Sequence, residues 1–201
     1  MDAQSEKTYL TQIARLFPRQ GEWTEETFFM LPESNQIVEL VNGEVIIMTP
    51  APDDAHQSAV GELFFALKQY CKTHKTGIAR IAPYDVRLKP GTIRQPDVLF
   101  IREENRKKIG DQYFDGGPDW VAEVISPGSR TADTVEKLKE YAQAGVPEYW
   151  LLDPRARTVM VYVLDGEAYR LVKTYEAGEA VESVMLEGFG VQVYDIFSGG
   201  A

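Results

Sequence analysis

The sequence has few of the features that disulfides, zinc sites and membrane spans require. It holds one cysteine, Cys71, which excludes an internal disulfide and is typical of a reducing cytoplasm. Its two histidines, His56 and His74, are too few for a histidine-rich zinc site. No apolar run approaches the ~20 residues of a membrane span, and the N-terminus lacks the basic and apolar parts of a signal peptide. We therefore expect a cytoplasmic protein with no membrane partner.

Positive charge is also scarce. The chain has 21 Lys and Arg against 31 Asp and Glu, a net charge of −10. This balance argues against broad, nonspecific binding to nucleic acid, although it leaves room for a local basic surface. Most basic residues in the middle of the chain are expected to be solvated. Those that a phosphate group could contact are Arg80, Arg87, Arg94, Arg102, Arg106, Lys107, Lys108 and Arg130.

The length and composition are those of one globular domain. With 201 residues and 44% hydrophobic content, the chain can bury a sizeable core. Apolar residues at helical spacing over residues 8–17 predict a short amphipathic helix. We expect an N-terminal helical extension over residues 1–21 and a single domain over residues 22–197.

The segment from Pro118 to Pro154 predicts a strand–helix–strand unit. Residues 118–126 are apolar, aromatic and β-branched, apart from Glu123 in the middle, whose carboxylate is costly to bury unless it is paired or binds a metal. A capping box at Asp133 and a glycine at position 145 bound the predicted helix. A second strand over 149–152 then implies two parallel strands.

The flanking regions predict further strands and one long helix. Asn42-Gly43 between two apolar runs predicts a β-hairpin. The middle of the chain then runs helix, three strands, helix, strand, which is an α/β order with a mixed sheet. The elements concerned are a short helix over 24–30, the hairpin over 37–48, a helix from His56 to Cys71 closed by Gly77, strands over 77–89 and 95–101, a loop over 102–114, a second hairpin over 159–175 and short strands over 181–193.

Asp97 and Glu123 are the acidic residues that point to chemistry. They lie in apolar strands that follow each other in sequence, and such strands are usually neighbours. If the strands pair, the carboxylates face each other at about 5 Å and repel unless a cation lies between them. Mg²⁺ or Mn²⁺ prefers such oxygen ligands. Spacing alone supports this weakly, since acidic pairs are common. Asp119, about 13 Å along the strand from Glu123, is too distant to share the ion and is interpreted as a strand-entry residue.

The same order of elements and motifs resembles a known nuclease family. Pro96-Asp97 followed by Glu123-Val124-Ile125 resembles the PD-(D/E)XK nuclease superfamily. More closely, the chain is similar to the Uma-two family of restriction-endonuclease-like proteins over roughly residues 22–196. The stretches that carry this likeness are 39–44, His56-Gln57, 95–98, 118–127, Glu136-Lys137-Leu138 and 141–150.

The resemblance implies a fold and an activity. The fold is α/β (α+β), with a restriction-endonuclease-like αβββαβ core, a mixed central sheet and added N-terminal and C-terminal β-hairpins. The activity is that of an Mg²⁺- or Mn²⁺-dependent endonuclease cleaving nucleic acid, DNA above all, with Asp97 and Glu123 as metal ligands. Ile125 stands where the superfamily carries its catalytic lysine, and Lys137 is the candidate replacement. By analogy with enzymes that cut both strands, a homodimer is expected.

Three residues have a supporting role or a purely structural one. Glu39 is either a solvent-facing strand residue or a further carboxylate near the site. His56 is either a capping or core histidine or a supporting site residue, and Tyr141 is either core or catalytic.

Two other functions of the whole protein also remain open. One is an inactive nuclease fold that acts as a binding module, and the other is a hydrolase of small phosphoesters.

Overall fold

A computed structural model describes residues 17–32, 37–47, 53–126 and 135–199. The predicted helix over residues 8–17 lies almost wholly outside them. The helices are α1 (Glu25–Phe29), α2 (Asp54–His74), α3 (Lys137–Gln143) and α4 (Val193–Ser198), with a 3₁₀ helix at Glu103–Lys108. The strands are β1 (Val38–Val41), β2 (Glu44–Ile47), β3 (Gly77–Ile81), β4 (Val86–Lys89), β5 (Thr92–Arg94), β6 (Val98–Arg102), β7 (Phe114–Asp115), β8 (Trp120–Val124), β9 (Glu148–Asp153), β10 (Thr158–Asp165), β11 (Ala168–Tyr175), β12 (Ala180–Glu182) and β13 (Gly190–Gln192).

The main sheet has six strands in the order β11-β10-β9-β8-β6-β3. Strands β8 and β9 are parallel, and every other neighbouring pair in it is antiparallel. Each face carries its own apolar cluster, because successive strand residues point to opposite faces. Leu63 of α2 belongs to the cluster with Trp120, and Tyr141 of α3 belongs to the cluster with Val121. The mixed α/β class predicted from the sequence is confirmed.

A second sheet contains strands that the sequence did not distinguish from those of the main sheet. Its order is β2-β1-β5-β4-β7. The prediction of one strand over 77–89 is wrong, because β3 pairs with β6 in the main sheet whereas β4 pairs with β5 in the second. Pro83 lies between β3 and β4 and has no N–H for a ladder, which separates the two strands. A further strand, β7, follows in the region predicted as a loop over 102–114, after the 3₁₀ helix.

The predicted hairpins are present. In the first, Asn42 and Gly43 have φ values of 50° and 84°, the positive values that a two-residue hairpin turn needs, and Val41 pairs with Glu44. In the second, β10 pairs with β11 and Asp165 pairs with Ala168, so Gly166-Glu167 forms the loop.

The end of α2 differs from the prediction. Lys75, with φ 55°, is the left-handed residue that ends the helix, so Gly77 does not close it. Gly77 instead begins β3, where a Cβ atom would lie 2.2 Å from the carbonyl oxygen of Ile101 on β6. Its glycine identity therefore serves the close approach of two strands.

The end of α3 follows the prediction. Gly145 has φ 75°, its N–H donates to the carbonyl of Ala142, and the N–H of Val146 donates to the carbonyl of Tyr141. These are the two hydrogen bonds of a Schellman motif. The predicted cap at Asp133 lies outside the described residues. No helix in the described ranges has the length and apolar character that crossing a bilayer requires.

Candidate active site

Asp97 and Glu123 lie at the same place on neighbouring strands. Strands β6 and β8 are antiparallel with Val98 opposite Ala122, so the register brings Asp97 opposite Glu123 one residue further on. Directly opposite residues project from the same face of a sheet. That face is the one covered by α3, since Leu99 and Val121 belong to the apolar cluster of Tyr141.

Glu123 is buried and held by two side chains of α3. It is 2% exposed, and Lys137, at 4%, places its Nζ 2.9 Å from Glu123 Oε2. Tyr141 donates its hydroxyl to Glu123 Oε1 at 2.6 Å. Positions 137 and 141 are one helical turn apart and share a face, which is why both reach one carboxylate. Lys139 is exposed instead.

Tyr141 is fixed as a hydrogen-bond donor. Burial, and then the charge of Glu123, raise the pKa of Tyr141 well above its ordinary value. The charge of Glu39 raises it further. The phenol therefore keeps its proton across the physiological range and donates a hydrogen bond to the Glu123 carboxylate.

Asp97 contacts different elements. Its Oδ2 accepts the backbone N–H of Val124 at 2.8 Å and lies 3.2 Å from Nε2 of His56, the buried histidine near the start of α2. Asp97 Oδ1 accepts a hydrogen bond from none of the described residues. One oxygen of this carboxylate is thus held in place while the other is available to a ligand.

The expectation that Glu39 faces solvent is wrong. Glu39 is 1% exposed, and its carboxylate is paired inside the protein. Its Oε2 accepts from Arg94 Nη1 at 2.7 Å, and its Oε1 accepts the backbone N–H of Gln95 at 2.9 Å. Its charge is also near enough to raise the pKa of Tyr141, so Glu39 lies beside the site rather than outside it.

Arg94 and Glu140 extend this network, and the sequence analysis did not single them out as partners. Arg94 is 1% exposed, and its Nε donates to Glu140 Oε2 at 2.7 Å. Burial lowers the pKa of Arg94, but the charges of Glu39 and Glu140 outweigh it and raise that pKa. The neighbours of Arg94 in sequence, Thr92, Ile93 and Gln95, gave no signal that this arginine would be buried.

Asp85 is a partly buried acid at the edge of this network. Its Oδ1 accepts from Gln95 Nε2 at 2.8 Å. Burial is the main cause that raises the pKa of Asp85, and the nearby charge of Glu39 adds to it. Through this hydrogen bond Asp85, which directly precedes β4 of the second sheet, contacts the segment that leads to Asp97.

Other acidic and basic residues named from the sequence have structural partners. Asp119 accepts the backbone N–H of Arg102 and the side-chain amide of Asn105, so it holds the start of the 3₁₀ helix as a strand-entry residue. Arg87 pairs with Glu25 and Asp115, and Arg106 pairs with Glu103. Arg130 lies outside the described residues. Arg87 and Arg106 thus each have a carboxylate partner among the described residues.

The donor set suits a small divalent ion with few protein ligands. The described ranges hold no group of three or more His, Cys, Asp or Glu side chains arranged around a metal position. Two carboxylates are, however, the usual number that Mg²⁺ takes from a protein, with water completing its shell. Asp97 Oδ1 accepts no hydrogen bond from the described residues, and a carboxylate oxygen that accepts one hydrogen bond can also bind a cation. The residues fit the ion.

Comparison with known proteins identifies the fold and the family. The crystal structure of a putative nuclease belonging to DUF820 from Anabaena variabilis superposes with a TM-score of 0.75 and 19% identity, covering 89% of this chain and 99% of that one. At that identity the likeness shows the fold. No curated protein sequence matches. The model of the Uma2 family, described as "Putative restriction endonuclease", matches residues 25–194. Since that match spans most of the chain, the protein belongs to the Uma2 family.

Proposed function

We propose that this protein is an Mg²⁺- or Mn²⁺-dependent endonuclease that hydrolyses phosphodiester bonds in nucleic acid, DNA above all. The observation that carries the proposal is the buried Glu123 carboxylate opposite Asp97, with the Lys137 ammonium 2.9 Å away. An acid pair with a lysine at its side is suited to hold a metal and a phosphate group together. The family's description and the nuclease-like fold point in the same direction.

Each residue then has a definite task. Asp97 and Glu123 would hold the ion, which supplies Lewis acidity and an activated water when bound. Lys137 stabilises negative charge that develops on the phosphate. Tyr141 fixes the plane of the Glu123 carboxylate through its hydroxyl, and His56 together with the Val124 N–H orients Asp97.

One observation favours a second candidate, the inactive binding module. Both oxygens of Glu123 already accept hydrogen bonds, one from Lys137 and one from Tyr141. If the ammonium replaces the metal permanently, the carboxylate is neutralised and no ion is needed. Under this candidate, divalent ions neither bind nor change the reactivity of Lys137.

Cleavage assays separate the candidates. Purified protein is incubated with supercoiled plasmid, single-stranded DNA, RNA and bis(p-nitrophenyl) phosphate, with Mg²⁺, with Mn²⁺ and with EDTA. We expect metal-dependent cleavage of DNA that Asp97→Asn abolishes. The matched control is Asp115→Asn, an exposed carboxylate at the end of β7, which keeps full activity. Cleavage of the small diester alone indicates a phosphoesterase, and no cleavage of any substrate by the metal-loaded protein contradicts the proposal.

We also propose that the active form is a homodimer, because cutting both strands of a duplex commonly needs two sites. Sedimentation with and without duplex DNA measures this directly. A strictly monomeric protein that nicks one strand of the plasmid at a time, without linear product, contradicts the dimer while leaving the nuclease proposal intact.

A further inference from the structure

Arg94 connects three elements that carry or flank the site. It is the last residue of β5, it pairs with Glu39 on β1 through Nη1, and it pairs with Glu140 on α3 through Nε. The first two elements belong to the second sheet, whereas α3 covers the main sheet. Arg94 is thus an ionic link between the second sheet and the helix that supplies Lys137.

The helix needs such a link. With seven residues, α3 is too short to be stable by itself, so its position depends on tertiary contacts. Glu140 lies between the two residues that contact Glu123, one helical turn after Lys137 and directly before Tyr141. A restraint on Glu140 therefore acts on the part of the helix from which both contacts to Glu123 are made.

The same arginine also acts on the strand side. Its partner Glu39 accepts the backbone N–H of Gln95 through its other oxygen. Gln95 is two residues before Asp97, in the segment that joins β5 to β6. One buried guanidinium group therefore restrains both the chain segment that precedes Asp97 and the helix beside Glu123.

We propose that Arg94 is a positioning residue that, through Glu39 and Glu140, keeps Lys137 and Tyr141 against Glu123. The proposal deepens the nuclease assignment, on which its catalytic meaning rests, but its structural content is measurable without metal or nucleic acid. A planar guanidinium is suited to this role because it holds two carboxylates at fixed angles, whereas lysine offers one point charge.

Lysine footprinting tests the restraint. Native protein is treated with a limiting amount of N-hydroxysuccinimide acetate, and acetylation is read by mass spectrometry. The buried, paired Lys137 reacts slowly in the wild type, while the exposed Lys139 on the same helix gives the reference rate. We expect Arg94→Met to raise the Lys137 rate about tenfold relative to Lys139, because local opening becomes easier. Arg94→Lys, which keeps one pair, gives an intermediate rate.

Two controls separate positioning from general stability. Arg87→Met removes an arginine that also lies between two carboxylates, Glu25 and Asp115, neither of them on α3, and it leaves the Lys137 rate unchanged. Cys71, the single thiol, is buried in the other apolar cluster and reports global opening through its reaction with a thiol reagent. Faster reaction of Lys137 with unchanged protection of Cys71 supports the proposal.

The opposite results overturn it. An unchanged Lys137 rate in Arg94→Met, or equal loss of protection at Lys137 and Cys71, shows that Arg94 does not position the helix. Should Arg94→Met fail to fold, Glu140→Gln breaks only the link to α3 at a partly exposed position and must raise the Lys137 rate by itself. If the wild type cleaves DNA, Arg94→Met lowers kcat and leaves KM nearly unchanged. If it cleaves nothing, the nuclease proposal fails while the footprint still decides the role of Arg94.

Discussion

Lys137 and Glu123 form a buried ion pair, with 2.9 Å between Nζ and Oε2, across fourteen positions of sequence. The superfamily pattern places its lysine two residues after the acid on the same strand, where this chain has Ile125. Here an ammonium from the following helix reaches the same carboxylate. We propose that this ammonium takes the place of the missing lysine from a different element.

Replacing Lys137 by methionine keeps the aliphatic stem and deletes the charge. Metal-dependent cleavage should fall by about 10²-fold or more, the usual effect of losing one group that stabilises transition-state charge. Because Glu123 is left buried without its cation, the free energy of unfolding should also fall by about 3–5 kcal/mol without metal. Urea denaturation measures this, and added Mn²⁺ should recover more stability in the variant than in the wild type.

Lys139→Met is the matched control, since Lys139 is exposed on the same helix. It should change neither cleavage nor stability. If the two variants behave alike, or if Lys139→Met is the inactive one, the role given to Lys137 is wrong.

Tyr141→Phe removes the hydroxyl that donates to Glu123 Oε1 at 2.6 Å. Hydrogen bonds to charged groups contribute about 1.5–3 kcal/mol, so the free energy of unfolding at pH 8 should fall by that amount. Tyr162→Phe is the comparison, because the Tyr162 hydroxyl makes only a 3.7 Å contact with Met160 Sδ and its removal should cost well under 1 kcal/mol. Equal losses in the two variants contradict the assignment.

The free energy of unfolding should decline at alkaline pH, and the buried hydroxyl of Tyr169 is one cause. Burial, and then the charge of Glu148, raise the pKa of Tyr169. The folded protein therefore keeps a proton that the unfolded chain releases above about pH 10, so stability present below pH 10 is lost as pH rises toward the folded pKa. Tyr169→Phe should reduce the slope of unfolding free energy against pH by about 1.4 kcal/mol per pH unit in that window. An unaltered slope contradicts the burial of this phenol.

Gly77 tests the close approach of β3 and β6. A methyl group there would lie 2.2 Å from the Ile101 carbonyl oxygen, so Gly77→Ala should destabilise the protein by about 2–3 kcal/mol. Gly61→Ala is the control, since its Cβ position in α2 is open, and it should stabilise by up to about 1 kcal/mol. Thermal denaturation compares the two variants. A stable Gly77→Ala protein excludes the strand geometry described here.

The parts of the fold that sequence predicted are those set by local chemistry. Asn42-Gly43 predicted its hairpin because few other pairs adopt two positive φ values, and Gly145 predicted the end of α3 for the same reason. The alternating pattern over residues 77–89 gave a wrong result. An alternating pattern records which residues are buried, but not which strand they pair with, so it missed the change of sheet at Pro83.

In the candidate site, too, some residues were predictable from local sequence and others were not. Glu123 was identifiable because a carboxylate in an apolar strand is anomalous, and its position opposite Asp97 followed from the usual pairing of sequential strands. The burial of Glu39 and its pairing with Arg94 were not predictable, since the two residues are separated by 55 positions and meet only after both sheets have formed. The helical pattern did not separate Lys137 from Lys139; the resemblance and the position of Lys137 nearer the helix start favoured Lys137.

Calorimetric titration of metal-free protein with Mn²⁺ tests the central claim most directly. The account predicts one binding event in the wild type, lost in both Asp97→Asn and Glu123→Gln, which remove a carboxylate charge with little change of shape. Asp119→Asn, a buried carboxylate on the same strand segment as Glu123 with its own structural partners, should bind as the wild type does. Equal Mn²⁺ binding by the wild type and by an Asp97→Ala/Glu123→Ala double variant would contradict the metal site and leave the inactive binding module as the better description.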